Sequence, residues 1–496
     1  MVAEGERVEF PETAAERVRA ARGVIERVVA EGRTVYGVTT GFGALADTRI
    51  EPSEAAELQH RIVRSHATAV GRPLSRPEAR AMLLLRAHVL ALGHSGVRPL
   101  VIERMVEMLN HDLIPAVPEQ GSLGASGDLA PLACLALPLI GGGELLHGDG
   151  GGTVPAGPAL AEAGFAPLIL EAKEGLALVN GTQGMLAIGV LAAMRLAVLV
   201  HAADIVAAMT IEALLGTDAP FDERLQRLRP HVGQTVSASN LRRLLAGSPI
   251  LASHRDSTHL VQDAYSLRCA PQVHGTTRDV LDPYASRVLG TELNAISDNP
   301  VVLPEDDAVV SGGNFHGQPV AVALDALALA TVGLASISER RLYRMLDPKT
   351  SNGLPAFLVE GSGLNSGFML MQYTAASLVS ECKTLAHPAS VDSIPSSAGQ
   401  EDHVSMGMTA ARHLREIVTN AELVVAMEAI AAAQALDLRA PLEPATATCA
   451  ARKAIRRAVP HLDVDRELGP DIASAVELLR GGRLHTAAEE AVGRLD

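Results

Sequence analysis

Between Pro11 and residue 31, the apolar residues Val18, Val24, Ile25 and Val28 recur at the spacing that places them on one helix face. The same periodicity predicts helices over 53–70, 77–94, 99–112 and 129–140. Ser53, with Glu54 and Glu57, gives the first of these a capped start, and Asp128 stands where it would cap the last. The stretch 35–50, VYGVTTGFGALADTRI, holds three glycines and paired threonines and reads as a loop. Gly-rich 141–157 reads as a hairpin, the one place where short strands are expected. From residue 173 the patterns lengthen. Segments 173–211, 257–300, 315–347, 363–387 and 402–438 are rich in Ala and Leu and predict a central bundle of long helices. Residues 212–234 read as a turn, a short helix and a return, and 441–496, broken by Pro441 and Pro444, as a charged peripheral cap. The predicted fold class is all-α: an N-terminal helical and loop region over 1–172, a bundle of long helices over 173–440 and a small helical cap over 441–496.

Composition supports this. Hydrophobic residues make up 48% of the 496-residue chain, yet aromatics are 2% and Trp is absent, which suits closely packed, Ala-rich helices. The longest apolar stretches, 184–200 and 319–337, are interrupted by Arg195 and Asp325 and read as buried bundle helices, not membrane spans. A net charge of −15 argues against nucleic acid and anionic membranes as partners. The four cysteines are scattered with no CxxC pair, and the 17 histidines show no ligand spacing, so no metal is expected. The opening MVAEGERVEF lacks an apolar signal region, and a cytoplasmic location is expected.

The chain has no Walker loop, no dinucleotide-binding glycine motif and no HExxH, and Ser126 lacks the flanks of a hydrolase elbow. What it has is GSLGASGDLAPLACLA at 121–136, four small residues before an acid and an apolar run. Ala125-Ser126-Gly127 permits an unusual reaction. If the Gly127 nitrogen attacks the Ala125 carbonyl and Ser126 is dehydrated, the backbone closes into a five-membered ring bearing an electrophilic methylidene. Small flanks, a β-hydroxyl and a glycine nitrogen are the requirements, and the tripeptide alone is weak support. The segments joining the long helices, such as EGLALVNGTQ, QDAYSLRCAPQVHG, ELNAISDNP, SGGNFHGQP and SAGQEDHVSM, mix Gly or Pro with polar residues and read as walls of a common space. Tyr36, in the 35–50 loop, is either a packed aromatic or a titratable group over that space.

These motifs together, with YGVTTGFG, SGVRP, GLNSGFM and QEDHVSMG in the same order, resemble the aromatic amino acid ammonia-lyase and aminomutase family along nearly the whole chain. The resemblance implies an all-α homotetramer whose active sites are completed by loops from more than one subunit. It implies a 4-methylideneimidazol-5-one (MIO) group formed from Ala125, Ser126 and Gly127, and no diffusible cofactor. It also implies roles: Tyr36 as the base for the β-proton, with its pKa lowered by the site; Arg268 as the fork for the substrate carboxylate; Asn180, Gln262, Tyr265 and Phe315 around the electrophile. For Gln262 and Phe315, simple core packing competes with that role.

Two features bear on substrate. Phenylalanine-specific members carry an apolar pair, and tyrosine-specific ones a His-Leu pair, where this chain has Ser65-His66, a pair that resembles the histidine-specific members. Glu401 adds a carboxylate where phenylalanine and tyrosine enzymes have an NQD-type segment. An imidazole has two nitrogens that need polar partners, whereas a phenyl ring would strand His66 and Glu401. The expected reaction is therefore L-histidine to trans-urocanate and ammonia, the first step of histidine degradation. An ammonia-lyase or 2,3-aminomutase for another aromatic amino acid, and a non-catalytic member of the fold, remain alternatives. The chain departs from the common pattern at Leu123, Cys134, Gly399 and Thr68-Ala69.

Overall fold

A computed structural model describes residues 2–148, 152–257 and 261–496. The turn of the predicted 141–157 hairpin, at 149–151, and residues 258–260 of the predicted 257–300 helix lie outside the described residues. The fold is all-α, as the periodicity predicts. The chain forms two compact units: Met1–Leu191, Arg287–Leu324 and Pro388–Arg412 make the first; Ala192–Ser286, Asp325–His387 and His413–Asp496 make the second. Three long helices, Gln183–Ala213, Gln318–Leu346 and Gly407–Asp437, each begin in the first unit and continue in the second. The first two are long and apolar enough to cross a membrane by length and composition, but 61% of the most apolar window of each is buried inside the protein.

In the first unit, helix Glu12–Ala30 buries Ala21, Val24, Ile25 and Val28 against Val38, Ala55, Ala172 and Val302. Helix Arg76–Ala91 opens with a capping box between Ser75 and Glu78, and Pro77 occupies its first turn, where a missing N–H costs nothing. The helix predicted over 53–70 is shorter, Ala55–His66. A 3₁₀ turn over Pro52–Glu54 precedes it, so Ser53 does not cap it. Strands Glu144–His147 and Gly152–Pro155 pair antiparallel, as expected of the Gly-rich stretch. Two further pairs were not foreseen: Val70–Pro73 with Pro118–Gln120, and Val301–Leu303 with Ala308–Val310. Strands this short carry too few alternating positions to register as a period of two.

Two predicted long helices are broken. The first splits into Glu174–Val179 and Gln183–Ala213, because Gly181 adopts φ +152°, outside helical space. The second is interrupted at Asp282, extended at φ −138°, before Pro283, which has no N–H to continue the ladder.

The second unit buries several charges, each paired. Glu428 accepts from Arg341 (2.8 Å), Thr210 (2.8 Å) and Ser338 (2.6 Å). Asp204 accepts from Arg278 and lies 2.8 Å from His274 Nδ1. Otherwise its core is largely alanine and leucine, and the alanines, such as the fully buried Ala421, Ala426, Ala431 and Ala432, let long helices approach closely.

Candidate active site

The stretch 122–128 is a tight turn in the first unit. Gly124 and Gly127 face each other in an isolated bridge, and Ser126 between them has φ +51°, left-handed for a residue that carries a side chain. Only glycine fits at 127, where φ is +80° and a Cβ would overlap the Gly181 carbonyl. The Asp128 N–H donates to that same carbonyl at 2.7 Å, and the Gly181 N–H donates to Ser126 O at 3.3 Å. The break at 180–182 is thus the backing of the turn.

Asp128 stands at the head of helix Leu129–Ala136 but does not cap it. Its carboxylate instead accepts from the Met185 N–H (2.8 Å), in the first turn of helix Gln183–Ala213, and from Ser122 Oγ (2.8 Å). Complete burial raises its pKa to about 6 despite those bonds. The Met406 N–H donates to Leu123 O at 2.9 Å, and Gly317 and Gly407 pack so closely on Met185 that a Cβ at either would overlap its thioether. Three long helices therefore begin beside this turn, with their positive dipole ends near it.

Ser126 lines two cavities, of about 590 and 490 Å³, which share Tyr36, Gly43, Ser126, Asn299 and Glu401 in their walls. The first is mainly apolar, with Phe42, Leu58, Ile62, Leu129 and Leu176, and also holds Ser65, His66 and Asn180. The second holds Ala125, Phe315, His316, Asp402 and His403. A smaller one, about 250 Å³, joins Ser65, His66, Thr68, Ala125, Gly127 and Glu401. Sequence-predicted residues from six separate segments thus line connected space. All belong to the first unit.

Tyr36 is held in a loop closed by the Thr40–Arg49 bridge and by Thr39 Oγ1 donating to Arg33 O at 2.7 Å. Its phenol oxygen accepts from the Gly43 N–H at 3.1 Å, and its ring meets Phe42 edge-on. The loop docks on the 396–401 segment, where the Ala44 N–H donates to Ser397 Oγ at 3.1 Å. The site was expected to lower the Tyr36 pKa; within this chain the reverse holds. Burial raises it, the Gly43 hydrogen bond opposes the rise, and the negative charge of Glu401 adds to it.

His66 ends helix Ala55–His66 and is half-buried. Ser65 Oγ donates to Ile62 O (3.3 Å) and lies 3.1 Å from His66 Nδ1. A hydroxyl whose proton goes to Ile62 accepts from Nδ1–H, which leaves Nε2 as a bare acceptor. Burial lowers the His66 pKa, against a backbone contact at Ile62 and Glu401, which raise it; the ring is neutral at pH 7. Glu401 is presented by a tight loop in which Ser397, Ala398 and Gly399 have φ of +49°, +52° and +89°, so the glycine at 399 suits its backbone. Ser396 Oγ donates to Glu401 Oε2 at 2.7 Å and fixes the carboxylate.

Asn180, 2% exposed, donates through Nδ2 to Asp298 Oδ1 (3.2 Å) and Asn299 O (3.0 Å), so its Oδ1 is the group left for a ligand. Phe315 is half-buried on a cavity wall. Gln262 is exposed, so core packing does not account for it. Gln262, Tyr265 and Arg268 belong to the second unit, where Tyr265 is 72% exposed and the Arg268 guanidinium lies 4.7 Å from its ring centre. Sequence reasoning missed Asn299, which lines both cavities, and Gln59. Gln59 is fully buried, accepts from the Leu176 N–H at 3.0 Å and donates to Gly37 O at 3.4 Å, tying the Tyr36 loop to its support. The signal for Gln59 was present: a glutamine on the face shared by Ile62 and Val63.

Residues 1–457 match the aromatic amino acid lyase family, and the chain belongs to that family. It is a carbon–nitrogen lyase. A histidine ammonia-lyase of Sorangium cellulosum is 54% identical over 491 residues, covering 97% of this chain and 95% of the relative. Among solved structures, histidine ammonia-lyase from Trypanosoma cruzi superposes with a TM-score of 0.90 at 43% identity, covering 99% of this chain and 92% of the other. Tyrosine aminomutase from Streptomyces globisporus superposes at 0.92 with 39% identity, covering 100% and 97%.

Proposed function

We propose that this chain eliminates ammonia from L-histidine to give trans-urocanate, using an MIO group formed from Ala125, Ser126 and Gly127. The observation that carries this reading is the meeting of His66, Glu401, Tyr36 and Ser126 on connected cavity walls. The turn fits such a group. Its backbone already doubles back between Gly124 and Gly127, only glycine fits at 127, and Ser126 faces the cavities. When formed, the group supplies an electrophile that makes the substrate amine a leaving group.

The rest falls to ordinary side chains. His66 Nε2 accepts from an imidazole N–H, and Glu401 meets the other side of the ring. Asn180 Oδ1 holds the amine, and Tyr36 accepts the β-proton once its phenol is ionised. The converging helix N-termini favour negative charge developing beside the turn. Arg268 binds the substrate carboxylate, with Gln262 and Tyr265 on the same segment, and these enter a site completed by other subunits of a homotetramer. Because the Tyr36 pKa is raised within one chain, that assembly is also where the positive charge needed to activate it is supplied. We place the enzyme in the cytoplasm.

The aminomutase reading is favoured by the 0.92 superposition on tyrosine aminomutase. Product identity separates the readings. Purified protein with L-histidine should generate urocanate absorbance and free ammonia, and L-tyrosine and L-phenylalanine should be poor substrates. Preference for either of those overturns the substrate, and β-histidine without urocanate overturns the lyase outcome.

A further inference from the structure

Behind the turn lies a buried charged cluster that the proposed reaction does not use. Arg86 is fully buried on helix Arg76–Ala91, a position where a guanidinium is costly to place. Its Nη1 donates to Asn180 O at 2.7 Å and to Gln183 Oε1 at 2.8 Å. Its Nε and Nη2 find no partner among the described residues. Nearby, Lys173 donates to Asp298 at 2.7 Å, both fully buried, and Asp298 also accepts from Asn180. Gln183 completes the set through a 2.8 Å bond to Ser297. Arg86 and Lys173 both act on Asp298, and Glu292 accepts from Thr182 within the same break. A pair meant only for stability would not leave a guanidinium half-satisfied.

Its position gives the reason. Arg86 grips both ends of the 180–183 break. Gly181, within that break, touches Arg86 on one side: a Cβ there would come within 2.6 Å of Nη1. On the other side its carbonyl receives the Asp128 N–H and abuts Gly127. One residue separates the guanidinium from the nitrogen that must attack.

We propose that Arg86 is a positioning residue for ring closure at Ala125-Ser126-Gly127, holding Gly181 as a fixed wall that keeps the turn compressed. The inference rests on the reading of that tripeptide given above. In the closure, the Gly127 nitrogen bonds to the Ala125 carbonyl carbon. The carbonyl oxygen leaves as water with the amide protons of Gly127 and Ser126. A second water takes the Ser126 hydroxyl and the Ser126 α-hydrogen. No oxidant or co-reactant is required. Arg86 reaches neither substrate nor ring, and acts by excluding backbone arrangements in which the two atoms are apart.

The test is intact mass during cell-free synthesis of the full chain, sampled over time, with helical circular dichroism and Tm measured on the same protein. The parent should lose two waters. Arg86→Met should retain its helix content yet lose them about tenfold more slowly or worse, while chains that have closed turn over histidine close to the parental rate. Arg86→Lys keeps the charge and a nitrogen with donors for both acceptors, but lacks the planar, stiff guanidinium that packs on Gly181, and should close at an intermediate rate. Arg341→Met removes another fully buried guanidinium, in the second unit, and should lower Tm without slowing closure. Parental closure in Arg86→Met overturns the proposal, as does equal slowing by Arg341→Met. If Arg86→Met proves insoluble, Arg86→Lys decides, and parental closure in it overturns the proposal. A parent that never loses water overturns the reading of the tripeptide itself.

Discussion

Glu401 acts on Tyr36 through charge: both line the same two cavities, and the carboxylate raises the phenol's affinity for its proton. One residue thereby serves substrate choice and sets a cost on the base. In the pH profile of kcat/KM, the limb that rises with pH reports the free enzyme's base. Removing the negative charge in Glu401→Gln lowers the Tyr36 pKa, so that limb moves to lower pH, while KM for histidine rises. A limb that stays fixed or moves upward contradicts the coupling.

His66 presents Nε2 to the cavity because Ser65 engages Nδ1. His66→Leu leaves an imidazole nitrogen of the substrate unpaired, a loss of about 1–3 kcal/mol. This corresponds to a fall in kcat/KM for L-histidine of roughly fivefold to 150-fold. Activity on L-phenylalanine should rise relative to histidine. Ser65→Ala, which only releases the tautomer, should have a smaller effect in the same direction. Steady-state kinetics on both substrates decide it, and unchanged histidine kinetics in His66→Leu would remove His66 from the pocket.

Ser396→Ala removes the hydroxyl that fixes the Glu401 carboxylate. One charge-assisted hydrogen bond is worth about 1.5 kcal/mol, so KM for histidine should rise by about tenfold. The two-water mass loss should be complete, because Ser396 lies on another loop. A defect in mass with normal KM would contradict this separation.

Asp128 makes stability pH-dependent. Its pKa of about 6 when folded lies above the ordinary 3.8. Between those values the folded state binds more protons than the unfolded state, so stability falls as pH rises from about 4 to about 6. A shift of about two units corresponds to roughly 3 kcal/mol from this group. Asp128→Asn removes the titration. In urea unfolding, the stability of the parent minus that of the variant should therefore be smaller at pH 7 than at pH 4. An equal difference at both pH values contradicts the assignment.

The helices of the first unit were legible because their apolar residues keep the helical period, as Val18 to Val28 show. The breaks at Gly181 and Asp282 were passed over although EGLALVNGTQ also reads as a joining segment and Pro283 is a helix stop, because Ala and Leu carry the helical pattern past both. Tyr36 and Ser126 stand out in Gly-rich stretches, whereas Ser65, His66 and Glu401 are picked out by the family resemblance. Gln59 and Arg86 stand on apolar faces, with Ile62 and Val63 and with Leu83 and Leu90, but periodicity weighs the apolar positions and passes over a polar residue among them. Asp128 was read as the cap of its own helix, since sequence shows the adjacent helix start but not Met185, 57 residues away, whose amide it receives. Gln262, Tyr265 and Arg268 belong to the second unit and are not among the residues that line the cavities.

Whether the backbone at 125–127 becomes the electrophile is decided by the intact mass of the purified chain. The parent should be two waters lighter than its sequence, and Ser126→Ala should be inactive and lack that deficit. A parent at full sequence mass that still converts L-histidine to urocanate would contradict ring closure.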